Sequence, residues 1–349
     1  MGEIEHKQSI FGGGMSVPLG TLMGNGFAIV SGRTNPALVN SIAEYLAVKP
    51  VFLQTGNWGN GYPRCKRREE DKDVTFSGKK VIIITSLQYR GIGSPVEELE
   101  LMVDACGSAD EIHVILTWLC GKDDVQHGSE HTPTIAWMAH RIAGLNPTSV
   151  NLFDPHQSGH TELFYPVKRR RFYLLRLLIE KAREMSIDQI AATDFSSTKR
   201  AKKVESFLGT GQPIFLASKE HHHQAAGSPL AELDLRGRLV GEKIGVFDDM
   251  ALSWNTMRKV VESLKMDFGA KEVHAFAPHF DPTPETFDNL QLAFQNNWLT
   301  SFTTTNSNQI DARYLELPGF TVVDISKFVA QVVELLILKK STSNLFDDI

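Results

Sequence analysis

The stretch VFDDMALSWNTMRKVVESL, Val246 to Leu264, decides how the chain is read. An apolar run ends in two adjacent acids, Asp248 and Asp249. A polar turn follows, with Ser253, Trp254, Asn255 and Thr256, and then a basic amphipathic helix. A strand that delivers carboxylates into a turn at a helix start is the usual way an open parallel sheet presents groups to a ligand. The free N–H groups and dipole of such a helix favour a phosphate. Adjacent acids on one strand end point to opposite faces. One could meet sugar hydroxyls or Mg²⁺ while the other anchors the loop. Ser253, Asn255 and Thr256 could donate to a phosphate. A plain N-cap with incidental acids is the alternative.

The same layout recurs along the chain. Strands are expected at 26–32, 79–87, 111–119 and 149–156, with helices between them opened by Asn35-Pro36, Ser94-Pro95 and Thr132-Pro133. Proline at the first turn after a capping residue is a helix start signal. A second series follows, with a helix over 169–184 and strands over 187–194, 212–219, 242–249, 272–280 and 299–306. The segment 321–338 closes it. Repeated β-α-β alternation with continuous apolar strands implies parallel sheets covered on both faces. The expected class is α/β, two similar domains each built on a mainly parallel sheet flanked by helices. An extension over 1–24, domains over 25–165 and 166–340, and a tail over 341–349 are expected.

Composition narrows the function. The 349 residues are 42% hydrophobic with a net charge of −5, which does not advertise a nucleic-acid partner. Cys65, Cys106 and Cys120 are far apart, make no metal spacing and fit reduced thiols in a cytoplasmic setting. No apolar run reaches the roughly 18 residues that a membrane helix needs. The glycine-containing start lacks the apolar core of a signal peptide.

Three further strand tips carry chemistry. In AATDFSSTKRAKK, Asp194 ends a strand, Ser196, Ser197 and Thr198 open a helix, and Lys199 and Arg200 fill its first turn. Cations are unfavourable at a helix start unless an anion sits there; solvated surface charge is the alternative. In FDPHQSGH, Asp154 and His156 stand two residues apart and are expected to share a face, a pairing that suits a divalent ion or a triphosphate. A histidine merely paired with its neighbour is the alternative. In LASKEHHHQAAG, Lys219 precedes His221, His222 and His223 in a polar loop.

In this order the pieces resemble the ribose-phosphate pyrophosphokinase (PRPP synthase) family and its paralogues over about residues 26–335. AIVSGRTNPALVNSIAEYLAV is similar to the family's opening SGxxNPxLAxxIAxxL, and EELELMVDA to its MELLLMIDA. FDPH falls where the family has DLH, and DFSSTKRAKK where it has DAGGVKRA. VFDDMALSWNT stands for the ribose-phosphate loop VDDMIDTGGT, and GAKEVHAFAPH is close to GAKEVYAFATH. The resemblance implies two phosphoribosyltransferase-like domains. It implies transfer of pyrophosphate from ATP to the 1-hydroxyl of ribose 5-phosphate, with Mg²⁺, giving PRPP and AMP. Asp248 and Asp249 would hold the ribose hydroxyls, and Ser253, Asn255 and Thr256 the 5-phosphate. Asp194, with Ser196 and Ser197, would serve the metal–pyrophosphate region. His156 would approach Mg-ATP, Trp58 and Asn60 of WGNGYP would lie on the adenine side, and Lys219 and His221 on the catalytic loop. A homo-oligomer, or a hetero-oligomer with paralogues, follows from the same likeness.

The departures bear on activity. Trp254 and Asn255 replace small residues, usually glycine, in the phosphate loop, and Ser196-Ser197 replace Gly-Gly. Asp123 and Asp124 stand where the family has an Arg and a Gln that touch the nucleotide, and carboxylates repel a triphosphate unless a metal intervenes. Glu220 replaces an arginine beside Lys219. These changes keep two other functions open, a non-catalytic subunit that assembles with active synthases and a pyrophosphokinase of altered substrate. An indole at 254 is expected either to turn outward or to fill the phosphate pocket. The whole scheme requires a strand edge that can admit a pentose at Asp248 and Asp249.

Overall fold

The structure is a computed structural model and describes residues 24–89, 94–120, 133–193, 197–220, 232–236 and 238–341. In the first half, β1 (Phe27–Ser31), β2 (Val51–Asn57), β3 (Pro63–Arg67), β4 (Lys80–Ser86), β5 (Glu111–Trp118), β6 (Ser149–Phe153) and β7 (Lys168–Phe172) form one sheet in the order β3-β2-β1-β4-β5-β6-β7. Only the β2–β3 pair is antiparallel. In the second half, β8 (Gln189–Ala192), β9 (Phe215–Glu220), β10 (Glu232–Arg236), β11 (Lys243–Phe247), β13 (Glu272–Phe276), β15 (Ser301–Thr305) and β16 (Phe320–Val323) repeat that order strand for strand. Here β9–β10 is the antiparallel pair. A short parallel pair, β12 (Met250–Ala251) and β14 (His279–Phe280), extends beyond the second sheet.

Strands such as β4, KVIIITS, are buried on both faces, which is why they read as unbroken apolar runs. The helices α1 (Pro36–Leu46), α2 (Pro95–Ala105) and α3 (Thr134–Gly144) flank the first sheet. The side chains of Asn35 and Ser94 accept the N–H groups of Leu38 and Glu97 at the starts of α1 and α2. At α3 the cap position is Pro133, and Thr132, the expected cap, lies outside the described residues.

Where the sequence predicts a helix from Arg169, the structure has β7 first and then α4 (Leu175–Glu184). Lysine and arginine are good helix formers, so their run hid the strand. What holds the strand is Phe172, which packs against Phe153 and Phe328. The segment 272–280 likewise splits into β13 and β14.

The two halves exchange helices. α4 follows the last strand of the first sheet but buries Leu175, Leu178, Ile179 and Ala182 against the second, beside α5 (Thr198–Leu208). On the opposite face lie α6 (Asn255–Met266) and α7 (Thr286–Gln295), with the short α8 (Ala312–Leu315) beside them. Reciprocally, α9 (Ser326–Ile337) follows the last strand of the second sheet and packs with α1 on the first. The carbonyl of Ile337 accepts Lys80 Nζ at 2.8 Å. Residues on both sides of position 165 therefore build the layers of the first sheet.

The duplication extends to polar detail. His113 on β5 and His274 on β13 each meet a serine on the next strand, Ser149 and Ser301, at 2.8 Å through Nδ1. Each also meets the glutamate two residues before it, at 3.1 and 3.2 Å through Nε2.

Replacing Phe328 by alanine should cost about 3–5 kcal/mol, because its ring is buried between Phe153 and Phe172. Urea unfolding of Phe328→Ala measures this, and a loss below about 1 kcal/mol would show that α9 does not complete the first core.

Candidate active site

In open parallel sheets ligands collect beyond the strand C-termini, where the strand order reverses. In the second sheet that point lies between β8 and β11. Thr193 follows β8 and Asp248 follows β11, and the Thr193 hydroxyl donates to Asp248 Oδ2 at 3.2 Å. The Asp248 N–H is held by the Phe276 carbonyl at 2.9 Å, and its Oδ1 accepts the Asp249 N–H at 2.9 Å. From the first half, His156 Nδ1 bonds Asp249 Oδ2 directly. Arg200, in the first turn of α5, sets Nη1 3.6 Å from Asp248 Oδ1 and 3.4 Å from Asp249 Oδ1. The anion expected at that helix start is thus supplied by the protein's own two carboxylates.

These contacts divide the pair. Burial, then repulsion by Asp249, pushes the Asp248 carboxyl up to about 7. Burial also works against Asp249, but the His156 bond and the Arg200 charge outweigh it and hold that carboxyl well below the usual range. The edge is nearly closed. The Asp249 side chain is 7% exposed and that of Asp248 23%, so admission of a pentose requires Arg200 or His156 to move off the acids.

Asp154 does not share a face with His156 as the sequence predicts. Its backbone is left-handed, with φ of 38°, and its carboxylate turns back to accept the N–H of Leu174. Burial raises that carboxyl to about 6. Behind the junction lies His279, a residue the sequence did not single out. Its Nε2 lies 3.1 Å from the Phe153 carbonyl and 3.3 Å from that of Asp154, and its Nδ1 is 2.9 Å from Ser307 Oγ. The ring leans on Trp118 at 4.4 Å between centroids. Burial drives its pKa down to about 4, so the neutral ring donates from Nε2 and ties the second half to the β6 tip of the first.

The phosphate-loop candidates surround the start of α6. Trp254 occupies the cap position with φ of 65°, the left-handed conformation that glycine adopts without strain. Its indole neither turns outward nor fills a pocket. It is 3% exposed, edge-on to Phe302 at 5.8 Å, inside the core of the second half. Ser253 Oγ accepts the Asn255 N–H at 3.4 Å, and Thr256 follows in the first turn. The Asn255 side chain is engaged with α7, accepting Asn289 Nδ2 at 2.9 Å and donating to Glu285 Oε1 at 3.2 Å. Thr286 and Asn289 also bond the carbonyls of Leu252 and Ser253, which straps the loop to α7.

Ser197 is buried and turns to Thr193, at 3.3 Å between hydroxyl oxygens. Trp58 and Asn60 sit apart, on the exposed turn between β2 and β3, where the Arg64 guanidinium lies 5.2 Å from the Trp58 ring centre. Lys219 falls on β9, at a position whose side chain is not described. Asp194, Ser196, His221 to His223, Asp123 and Asp124 lie outside the described residues. Among those described, no group of three or more His, Cys, Asp or Glu could cage a metal, and no helix is long and apolar enough to cross a membrane.

Two outcomes follow. Trp254→Gly should cost a net 2–4 kcal/mol or so, the lost indole outweighing relief of the left-handed backbone, without tightening ribose 5-phosphate binding. Calorimetry and urea unfolding test both. For His279, the unfolded chain protonates near its ordinary 6.5 while the folded ring resists to about 4. Its contribution therefore falls as pH drops through that window, by up to about 3 kcal/mol. Asp248 works in the opposite sense between about 4 and 7, since its folded form holds the proton longer. The difference in unfolding energy between wild type and His279→Gln should shrink from pH 7 to 4; a constant difference would place the ring outside the linkage.

No protein family matches the chain by its sequence profile. Individual proteins do. Ribose-phosphate pyrophosphokinase of Prochlorococcus marinus is 21% identical over 334 residues, covering 94% of this chain and 96% of that protein. Ribose-phosphate pyrophosphokinase 3 of Saccharomyces cerevisiae is 24% identical over 80% of this chain and 88% of its own length. Among solved structures, the phosphoribosylpyrophosphate synthetase of Mycobacterium smegmatis superposes with a TM-score of 0.76 at 19% identity, covering 90% of this chain and 99% of that one. Along most of its length the chain is therefore similar, in sequence and in fold, to the ribose-phosphate pyrophosphokinases.

Proposed function

We propose that this chain is a ribose-phosphate pyrophosphokinase-like transferase, moving the pyrophosphoryl group of ATP to the 1-hydroxyl of ribose 5-phosphate to give PRPP and AMP. The observation that carries this is the acidic pair Asp248–Asp249 at the switch point of the second sheet, facing His156 of the first and followed, after β12 and a short turn, by the start of α6. The similarity to proteins of that name along the chain supports it.

On this reading the two carboxylates accept the sugar hydroxyls, while Ser253, Asn255, Thr256 and the start of α6 receive the 5-phosphate. His156, released from Asp249, turns toward the nucleotide. Arg200 moves from the acids to the transferring phosphates, exchanging one set of negative charges for another. Lys219 and His221 are assigned to the catalytic loop, and Trp58 and Asn60 to the adenine. Such transfer rests on positioning and charge neutralisation, with little covalent work for the protein. Mg²⁺ fits the oxygen-rich tips, since it takes one or two carboxylates and keeps substrate oxygens and waters as its other ligands. Asp194 and His156 would hold it, and its chemistry would be neutralisation of the phosphate charge. Action in the cytoplasm, as an oligomer of this chain or with paralogues, belongs to the same proposal.

A second reading has its own observation. Asp249 is closed over by His156 and Arg200, as in a site kept shut, which suits a non-catalytic subunit of an active synthase. The deciding assay mixes purified protein, Mg²⁺, ATP and ribose 5-phosphate and follows AMP. Release of AMP that falls about 10- to 100-fold in Asp249→Asn supports the transferase, each lost charge-assisted bond costing roughly 1.5–3 kcal/mol. No AMP, with co-purification beside an active synthase, supports the subunit. AMP released only with another sugar phosphate would mean an altered substrate.

A further inference from the structure

The strap that holds the start of α6 carries a charge. Glu285 stands at the cap position of α7, and an acid there has an ordinary use, since it complements the positive end of the helix. Its side chain nevertheless does not cap α7. It is exposed and accepts Asn255 Nδ2 at 3.2 Å, at the first residue of the neighbouring α6. Among the described residues no Lys, Arg or His pairs with it. The first cation of α6, Arg258, is paired with Glu262 at 3.1 Å.

Chemistry fixes the direction of the Glu285 bond. An ionised carboxylate only accepts, so the amide nitrogen of Asn255 is the end that faces it. The amide oxygen is left to Asn289 Nδ2 at 2.9 Å, and the same Asn289 nitrogen holds the Ser253 carbonyl at 2.9 Å. Both ends of the Asn255 amide are thus taken by the α7 side. For Asn255 to serve a phosphate, its nitrogen must leave one anion for another, and the first stays alongside. Two negative groups brought that close repel each other.

We propose that Glu285 is a specificity-determining residue of this loop. Its carboxylate takes the place of the incoming anion on Asn255 and limits, by repulsion, the negative charge the loop accepts at the 5-position of a sugar. This rests on the reading of Ser253, Asn255 and Thr256 as the phosphate grip. A phosphate monoester carries about 1.5 to 2 negative charges at neutral pH, so it is strongly opposed. The donors assigned to it are hydroxyls, an amide and N–H groups, none of which carries a charge to offset a carboxylate within one side chain's reach. Glutamine at this position keeps the shape and the bond to Asn255 and removes only the charge.

Calorimetric titration of the full chain with ribose 5-phosphate at low salt, with ribose as the uncharged control, tests it. Glu285→Gln should bind ribose 5-phosphate about three- to tenfold more tightly than wild type, with ribose unchanged, and Glu285→Lys more tightly still. Added salt should narrow the gap. If the transferase reading holds, KM for ribose 5-phosphate falls by the same factor while kcat does not rise. A residue that served only the α7 start would give no tightening when changed. Unchanged or weaker affinity in Glu285→Gln, in protein whose fold circular dichroism confirms, therefore overturns the proposal. Equal tightening of ribose does so too, since it would mean a rearranged loop instead of a removed charge. Tightening without AMP release keeps Glu285 in this role and removes the transferase; AMP release with affinity unmoved does the opposite. Binding of ribose 5-phosphate by neither protein overturns both.

Discussion

A carboxylate taken out of water has to be neutralised where it stands, and Asp249 is neutralised from two directions. His156 reaches it from the first sheet and Arg200 from the helix that follows β8. Removing one partner of such a buried pair leaves an uncompensated charge, which is far more costly than never having built the pair. The junction therefore constrains how the carboxyl edges of the two sheets face each other. Polar contacts around it act in the same sense. Thr117 Oγ1 donates to the Ser307 carbonyl at 2.7 Å, Asn35 Nδ2 to the Asn306 carbonyl at 2.9 Å, and Trp118 Nε1 to Asp281 Oδ2 at 3.1 Å. Each joins a residue before position 120 to one after 280.

Much of this was legible in the residues. The α/β class follows from strands buried on both faces, which leave apolar runs that no amphipathic pattern would produce. The duplication shows in the repeated order of elements, and at finer grain in EIHVI and EVHAF, whose histidines take equivalent bonds. What stayed hidden depends on tertiary partners. β7 is a strand because Phe172 finds Phe153 and Phe328, two rings distant in sequence. The exchange of α4 and α9 has no local signature, since an amphipathic helix does not announce which sheet it will cover.

The site divides in the same way. Asp248 and Asp249 are legible as a strand tip because an apolar run ends in them, and they stand directly after β11. Arg200 could be suspected, as a cation at a helix start in need of an anion, although nothing local says that the anion is the chain's own. Asp154 misleads because its left-handed turn breaks the alternation that would have aligned it with His156. Trp254 misleads through its size. It stands where the resembling loop has glycine, its backbone is left-handed, and the indole is accommodated by folding inward onto Phe302. His279, Thr286 and Asn289 work through partners far along the chain, and no short motif marks them.

The helix exchange has a consequence for how the molecule is made. α9 covers one face of the first sheet, yet it is synthesised after every strand of the second. On the ribosome, Phe27 and Ile29 wait for nearly three hundred residues of translation, and Phe172 for about one hundred and fifty, before α9 emerges to complete their cover. The second sheet needs no such delay, because α4 precedes it. The later half is thus free to consolidate as it leaves the tunnel, while on the earlier half the part of one sheet face beside α1 that α9 covers stays uncovered until the end, against the usual N-to-C order.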